Sequence, residues 1–217
     1  MVHYKKTHNM RLILTFSLII LLISCGNRDI KTGFSDKQEN DSITNRLDRW
    51  LNYYDLKLES FIDSLPMVER KTISFEYDYL SDTSNLFNDF FVFSPDSSHF
   101  IDLDSYSIML EKDSLGQLFS NGSEVDTETA LIDIKGKRRI RVLFCGTDCR
   151  PEEAYWIKND LVYILGFTKN NKMDYPTIWT FEINNNFFQE IKTKDSINLT
   201  GKNYLENVRL KMIKFKK

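Results

Sequence analysis

The chain has 217 residues, with 29 Lys and Arg against 31 Asp and Glu and a formal net charge of −2. That balance excludes general nucleic-acid binding, which rests on a basic surface pairing with phosphates. The length suits one domain with an appended element, and with 41% hydrophobic residues the chain can bury a real core.

Residues 1–24 read as a targeting signal. Lys5, Lys6 and Arg11 form a positive start, and Leu12 to Ile23 is an apolar run of 12 residues broken only by Thr15 and Ser17. A spanning helix needs roughly 20 apolar residues, whereas the apolar part of a secretory signal runs to about 7–15. Leu22-Ile23-Ser24-Cys25, followed by Gly26, resembles the lipobox of bacterial lipoproteins. The resemblance covers residues 1–26 only. It implies cleavage before Cys25 and a diacylglyceryl thioether on the Cys25 sulfur, whose thiolate is the nucleophile that takes the lipid. The partner it implies is a membrane, held through acyl chains (palmitate is a common one) that each add about 0.8 kcal/mol per buried CH2. Gly26 is not the aspartate that retains some lipoproteins at the inner membrane. Asp29 alone stands where surface-exported ones carry an acidic run. The expected location is therefore the cell envelope, at the outer membrane facing the periplasm, with surface exposure as the alternative. Without residues 1–24 the chain keeps 26 basic and 31 acidic residues, a net charge of about −5.

Residues 25–41 are polar and read as a flexible tether, whose sixteen residues after Cys25 span about 20–24 Å as a coil. Residues 42–66 read as an amphipathic helix. Ile43, Leu47, Trp50, Leu51, Tyr54, Leu58, Phe61, Ile62 and Leu65 recur at three- and four-residue spacing. Ser42 is the expected N-cap and Pro66 the expected stop.

From residue 67 to 217 the expectation is an antiparallel β domain. Ile73, Phe75, Tyr77 and Tyr79 alternate with polar residues as a half-buried strand would. Phe90–Phe93 and Phe100–Leu103 flank Ser94-Pro95-Asp96-Ser97, with proline where a type I turn wants it. Tyr106–Leu110 continues the meander, and residues 112–128 read as a long polar loop. Ala130–Ile134 and Arg139–Phe144 pair about Gly136. Tyr155–Lys158 joins Leu161–Thr168 at Asn159-Asp160, and Ile178–Ile183 joins Phe187–Lys192 at Asn184–Asn186. Such short connections demand antiparallel pairing. The tail from Tyr204 fits helix and strand equally, with Asn203 and Glu206 placed as in a capping box. The fold class is thus α+β: a mostly antiparallel sandwich or curled meander sheet behind one helix.

Candidate sites are few. Cys145 and Cys149 bracket a glycine-containing loop and, in an oxidising envelope, are expected to form a disulfide. Their spacing suits neither a zinc site nor a redox Cys-x-x-Cys motif. Lys135, Lys137, Arg138, Arg139 and Arg141 form a basic cluster at a hairpin turn, a candidate surface for an envelope protein or an anionic glycan, or simply charges guarding an edge strand. Asp102/Asp104 and Glu152/Glu153 are carboxylate pairs, expected to lie on solvated strand faces; if instead they converge in a pocket, they suit glycoside hydrolysis. His99 is the only histidine after residue 8, so no multi-histidine metal site is available and no metal or cofactor is expected. The functional expectation is a lipid-anchored envelope protein that binds or scaffolds, with a carboxylate-based, glycan-directed hydrolase as the alternative.

Overall fold

This computed structural model describes residues 43–81 and 85–216. The signal, Cys25, the tether and Ser42 lie outside the described residues. The chain folds as α1 (Ile43–Tyr54), β1 (Phe61–Ser64), β2 (Val68–Glu69), β3 (Ile73–Glu76), β4 (Val92–Phe93), β5 (His99–Asp102), β6 (Ile108–Lys112) and β7 (Leu118–Ser123). Next come β8 (Thr127–Asp133), β9 (Arg138–Cys145), β10 (Cys149–Lys158), β11 (Leu161–Asn170), β12 (Met173–Glu182), β13 (Phe187–Thr193) and β14 (Lys214–Phe215).

The expected mostly antiparallel β fold behind one helix holds. Sheet I has the order β1-β13-β12-β11-β10, with β2 also on β13; sheet II has the order β3-β9-β8-β5-β4; a small sheet III has the order β14-β7-β6. The hairpins follow local chemistry. Asn171 and Lys172, both at positive φ, make the two-residue turn between β11 and β12, the geometry that matches strand twist. The Ser94–Ser97 turn closes with the Ser97 N–H donating to the Ser94 carbonyl at 2.8 Å.

Sheets I and II pack face to face. Leu131, Val142 and Leu143 of sheet II meet Trp156, Ile164 and Trp179 of sheet I in one core cluster. The Trp156 indole donates to the Val92 carbonyl at 2.8 Å, satisfying its polar atom inside that core. The other face of sheet I is covered by Leu47, Trp50, Leu51 and Tyr54 of α1, which pack on Leu165, Phe167 and Ile178. The other face of sheet II carries Phe100, Ala130 and Ile132 under Phe91 and the tyrosines Tyr77 and Tyr79.

Three expectations need correction. The helix stops at Tyr54, not at Pro66: Asp55 takes a left-handed conformation (φ 57°), and residues 61–64 pair with β13 as an edge strand. Pro66 sits between β1 and β2 on that edge, where a missing N–H costs no ladder bond. Residues 112–128 are not one long loop, because Leu118–Ser123 pairs with β6 on one side and, in parallel, with β14 on the other. The strand expected over 73–79 stops at Glu76 and all four residues of β3 are exposed, since it ends sheet II beyond the reach of the core, while Tyr77 and Tyr79 beyond it are partly buried. The tail takes both forms left open, a π-helical turn over Leu205–Arg209 followed by β14.

Candidate functional site

A β-bulge builds the most polar part of the interior. On β10 and β11, Pro151 stands opposite Gly166 and Glu153 opposite Leu165, which leaves Glu152 as an extra residue. Neighbours on a regular strand point to opposite faces, but a bulge re-aims one of them. Both carboxylates therefore reach the helix-covered side. Gly166 makes room for the bulge: a Cβ there would lie 2.1 Å from the Arg150 carbonyl oxygen.

Glu152 and Glu153 are 1% and 0% exposed. Glu152 accepts from the Trp50 indole at 3.0 Å and from the Tyr54 hydroxyl at 2.9 Å, with Arg150 Nε 2.9 Å away. Glu153 accepts from Arg46 at 2.9 Å, Arg49 at 3.1 Å and the Tyr204 hydroxyl at 2.9 Å. Burial of such pairs adds little net stability, because desolvation offsets their attraction. Here they set how α1 and Tyr204 sit on sheet I.

Asp102 and Asp104 are also buried, at 2% and 3% exposure, so neither carboxylate pair lies on a solvated strand face. Asp102 ends β5 and turns back on its own loop, accepting from the Asp104 N–H at 3.1 Å, the Ser105 N–H at 3.0 Å and the Ser105 hydroxyl. Its other partner is Arg139 at 2.7 Å. Asp104 takes both terminal nitrogens of Arg209 at 2.6 Å. Burial pushes the Asp104 carboxyl above its ordinary range, Arg209 pulls it back, and the nearby Asp102 and Glu153 charges add to the rise.

The basic cluster is divided. Arg139 and Arg141 lie on the outer face of sheet II and grip the buried Glu128 at 2.9 and 2.6 Å, with the Arg141 guanidinium over Phe144. Arg138 pairs with Asp133 at 2.9 Å and Lys137 with Asp78 at 2.6 Å, while Lys135 is exposed in the turn. Four of the five thus already hold acidic partners. Cys145 and Cys149 close the crossover from sheet II to sheet I as a disulfide, with Cα atoms 5.5 Å apart. The His99 ring contacts the Ser98 hydroxyl and makes a tilted approach to Trp156.

Two clefts flank Arg150. The larger, about 440 Å3, lies between sheet III, the bulge and the π-helical turn, and is lined by Leu103, Asp104, Glu124, Arg150, Glu206 and Leu210 among others. The smaller, about 270 Å3, lies along the disulfide loop and Phe167. Asp104 lines the larger cleft and Asp102 lines neither. Among the described residues no group of three or more His, Cys, Asp or Glu is arranged to hold a metal ion. Sequence reasoning missed Arg150, Tyr204 and Arg209. The one local signal was Pro151 followed by two acids, with Gly166 in the partner strand.

Comparison of the chain with protein-family models, curated proteins and solved structures finds no match.

The Glu152 environment makes a pH prediction. Burial raises its carboxyl above the ordinary 4.5. A raised folded-state pKa means the folded protein binds the proton more tightly. The stability this contributes is full below the ordinary value and is lost as pH rises through the raised one. Glu152→Gln removes the titration. The wild-type advantage in urea midpoint over this variant should therefore shrink between pH 4 and pH 8. A constant or growing advantage would mean that Glu152 does not titrate above its ordinary range.

Proposed function

We propose that this chain is a lipid-anchored cell-envelope protein that works by binding a protein partner along one edge of its sandwich. The lipobox residues Leu22 to Cys25 support the anchor. The observation that carries the binding reading is the segment 61–76. It runs down the outer edge of sheet I as β1 and β2, crosses at Arg70, and continues on the edge of sheet II as β3. Arg70 spans the crossing, its guanidinium over Phe188 of sheet I and its Nη1 donating to the Val142 carbonyl of sheet II at 2.9 Å. Along this ribbon Ile62, Leu65, Met67, Val68, Ile73 and Phe75 are each at least half exposed. Large apolar side chains strung along terminal strands suit an extended segment of another protein.

The hydrolase reading on Asp102 and Asp104 is weaker. A glycosidase needs two carboxyls facing the scissile bond. Here one is folded into its own loop, and the other, although it lines the larger cleft, is capped by Arg209.

The test is photo-crosslinking in native membranes, from a reactive side chain placed at Ile62, Val68 or Phe75, with Met173 and Met212 as exposed controls. A single adduct formed from the ribbon and not from the controls supports the reading. No adduct, or the same adducts from every position, overturns it. Intact mass of the same material, beside Cys25→Ala, reports the lipid separately.

A further inference from the structure

The geometry points to a ligand site in the larger cleft. We propose that it takes a zwitterion of amino-acid or dipeptide size, with its carboxylate on Arg150 and its amine toward Glu124 and Glu206. This does not rest on the ribbon, which belongs to the other edge of sheet I.

The cleft's volume of about 440 Å3 falls within the roughly 300–1,000 Å3 of small-molecule sites. Its walls combine apolar surface from Leu103, Ile108, Leu210 and Phe215 with charges of both signs. The π-helical turn forms one side, closed by the Leu210 N–H donating to the Leu205 carbonyl at 2.7 Å. Turns of this type are costly in a helix and gather at functional sites.

Arg150 supplies the anchor. Its Nε lies 2.9 Å from Glu152 and its guanidinium sits over Phe167, while Nε and Nη2 are buried without a hydrogen-bond partner. A buried charged donor left unpaired is expensive. The distal fork of a guanidinium matches the two oxygens of a carboxylate. Thr127, whose hydroxyl is likewise buried without a partner, lines the same cleft.

The exposed acidic residues of the cleft offer a partner for the amine. Glu124 and Glu206 line the cleft, are exposed, and form no ion pair among the described residues. Glu152 stands directly beside Arg150. Lys202 and Lys216 line the cleft as well, so its walls carry both signs, which a zwitterion matches and a phosphate dianion does not. Asp104 does not compete for that ammonium, since Arg209 already neutralises it.

The test is calorimetric titration of the full chain in detergent with the twenty amino acids and their alanyl dipeptides. The expected result is saturable binding of at least one of these probes. Its methyl ester and its N-acetyl form should each bind at least tenfold more weakly. Arg150→Gln should weaken the free acid at least tenfold and leave the ester unchanged. Arg150→Lys, which keeps the charge beside Glu152 but loses the fork, should weaken the free acid less than Arg150→Gln does. If either variant fails to fold, as judged by circular dichroism, the ester and acetyl comparisons on the wild type decide alone. No saturable binding across the panel, or binding indifferent to both blocking groups, overturns the proposal.

Discussion

Asp104→Ala should destabilise the protein by about 3–5 kcal/mol, because it strands a buried guanidinium without its counter-charge. Arg209 has a side chain only 6% exposed, and both of its terminal nitrogens donate to Asp104 at 2.6 Å. Arg209→Ala should cost a similar amount for the converse reason, leaving Asp104 buried near Asp102 and Glu153. The double variant Asp104→Leu/Arg209→Met should recover most of the loss. The desolvation of two charges disappears together with their attraction, and that balance is often neutral or favourable. Urea unfolding of the four proteins checks this. A double variant no more stable than the singles would mean that the pair supplies net stability and does not merely satisfy itself. If the double variant does recover the loss, the pair's value to the protein is geometric, setting the π-helical turn against the loop after β5.

Gly166→Ala is the second large effect, expected at about 3 kcal/mol or more because the added methyl overpacks rigid backbone. Its Cβ would lie 2.1 Å from the Arg150 carbonyl oxygen and 2.9 Å from the Pro151 Cα. Neither is the flexible tip of a side chain, so β10 must move. Movement there displaces Glu152 and Glu153, and with them the partners Trp50, Arg46 and Tyr204. The loss should therefore come with early proteolysis within α1 and a changed near-ultraviolet signal. Gly122→Ala is the control. Nothing lies within 4 Å of a Cβ at Gly122, so the change should stay within about 0.5 kcal/mol. Equal effects at the two glycines would show that the bulge tolerates a side chain.

The hairpins at Gly136, Asn159-Asp160 and Asn184–Asn186 were legible because their strands carry turn chemistry and a buried face, and both signals are local; the turn at Asn171-Lys172 between β11 and β12 was not. Leu47, Trp50, Leu51 and Tyr54 were legible as a helical stripe for the same reason. The end of that helix was not. Leu58, Phe61, Ile62 and Leu65 keep helical spacing, yet Leu58 starts a 3-10 turn and the other three run along the edge of a sheet whose partner strand lies more than 120 residues later. β7 was illegible because its Ser-Asn-Gly-Ser sequence has no apolar alternation, and only β6 and β14 make it a strand. The buried acids were the largest gap. Pro-Glu-Glu reads as solvated in isolation. Its burial depends on Gly166 allowing a bulge and on arginines from α1 arriving to neutralise it. Arg209 gave no signal, since its role exists only once the C-terminal segment folds back on Asp104.

The order of elements along the chain also decides how the protein takes a pull. Any tension carried by residues ahead of Ile43 enters the folded part through α1. Beyond that helix the chain leads directly into the edge strands β1 and β2. The helix is fastened to sheet I by apolar contact and by the side chains that meet at Glu152 and Glu153. A force applied from the N-terminus would first shear those fastenings and then unzip β1 from β13 one pair at a time. The sandwich between sheets I and II would remain closed. Under such a force the helix would act as a mechanical fuse, its release lengthening the chain ahead of β1 while leaving the core intact.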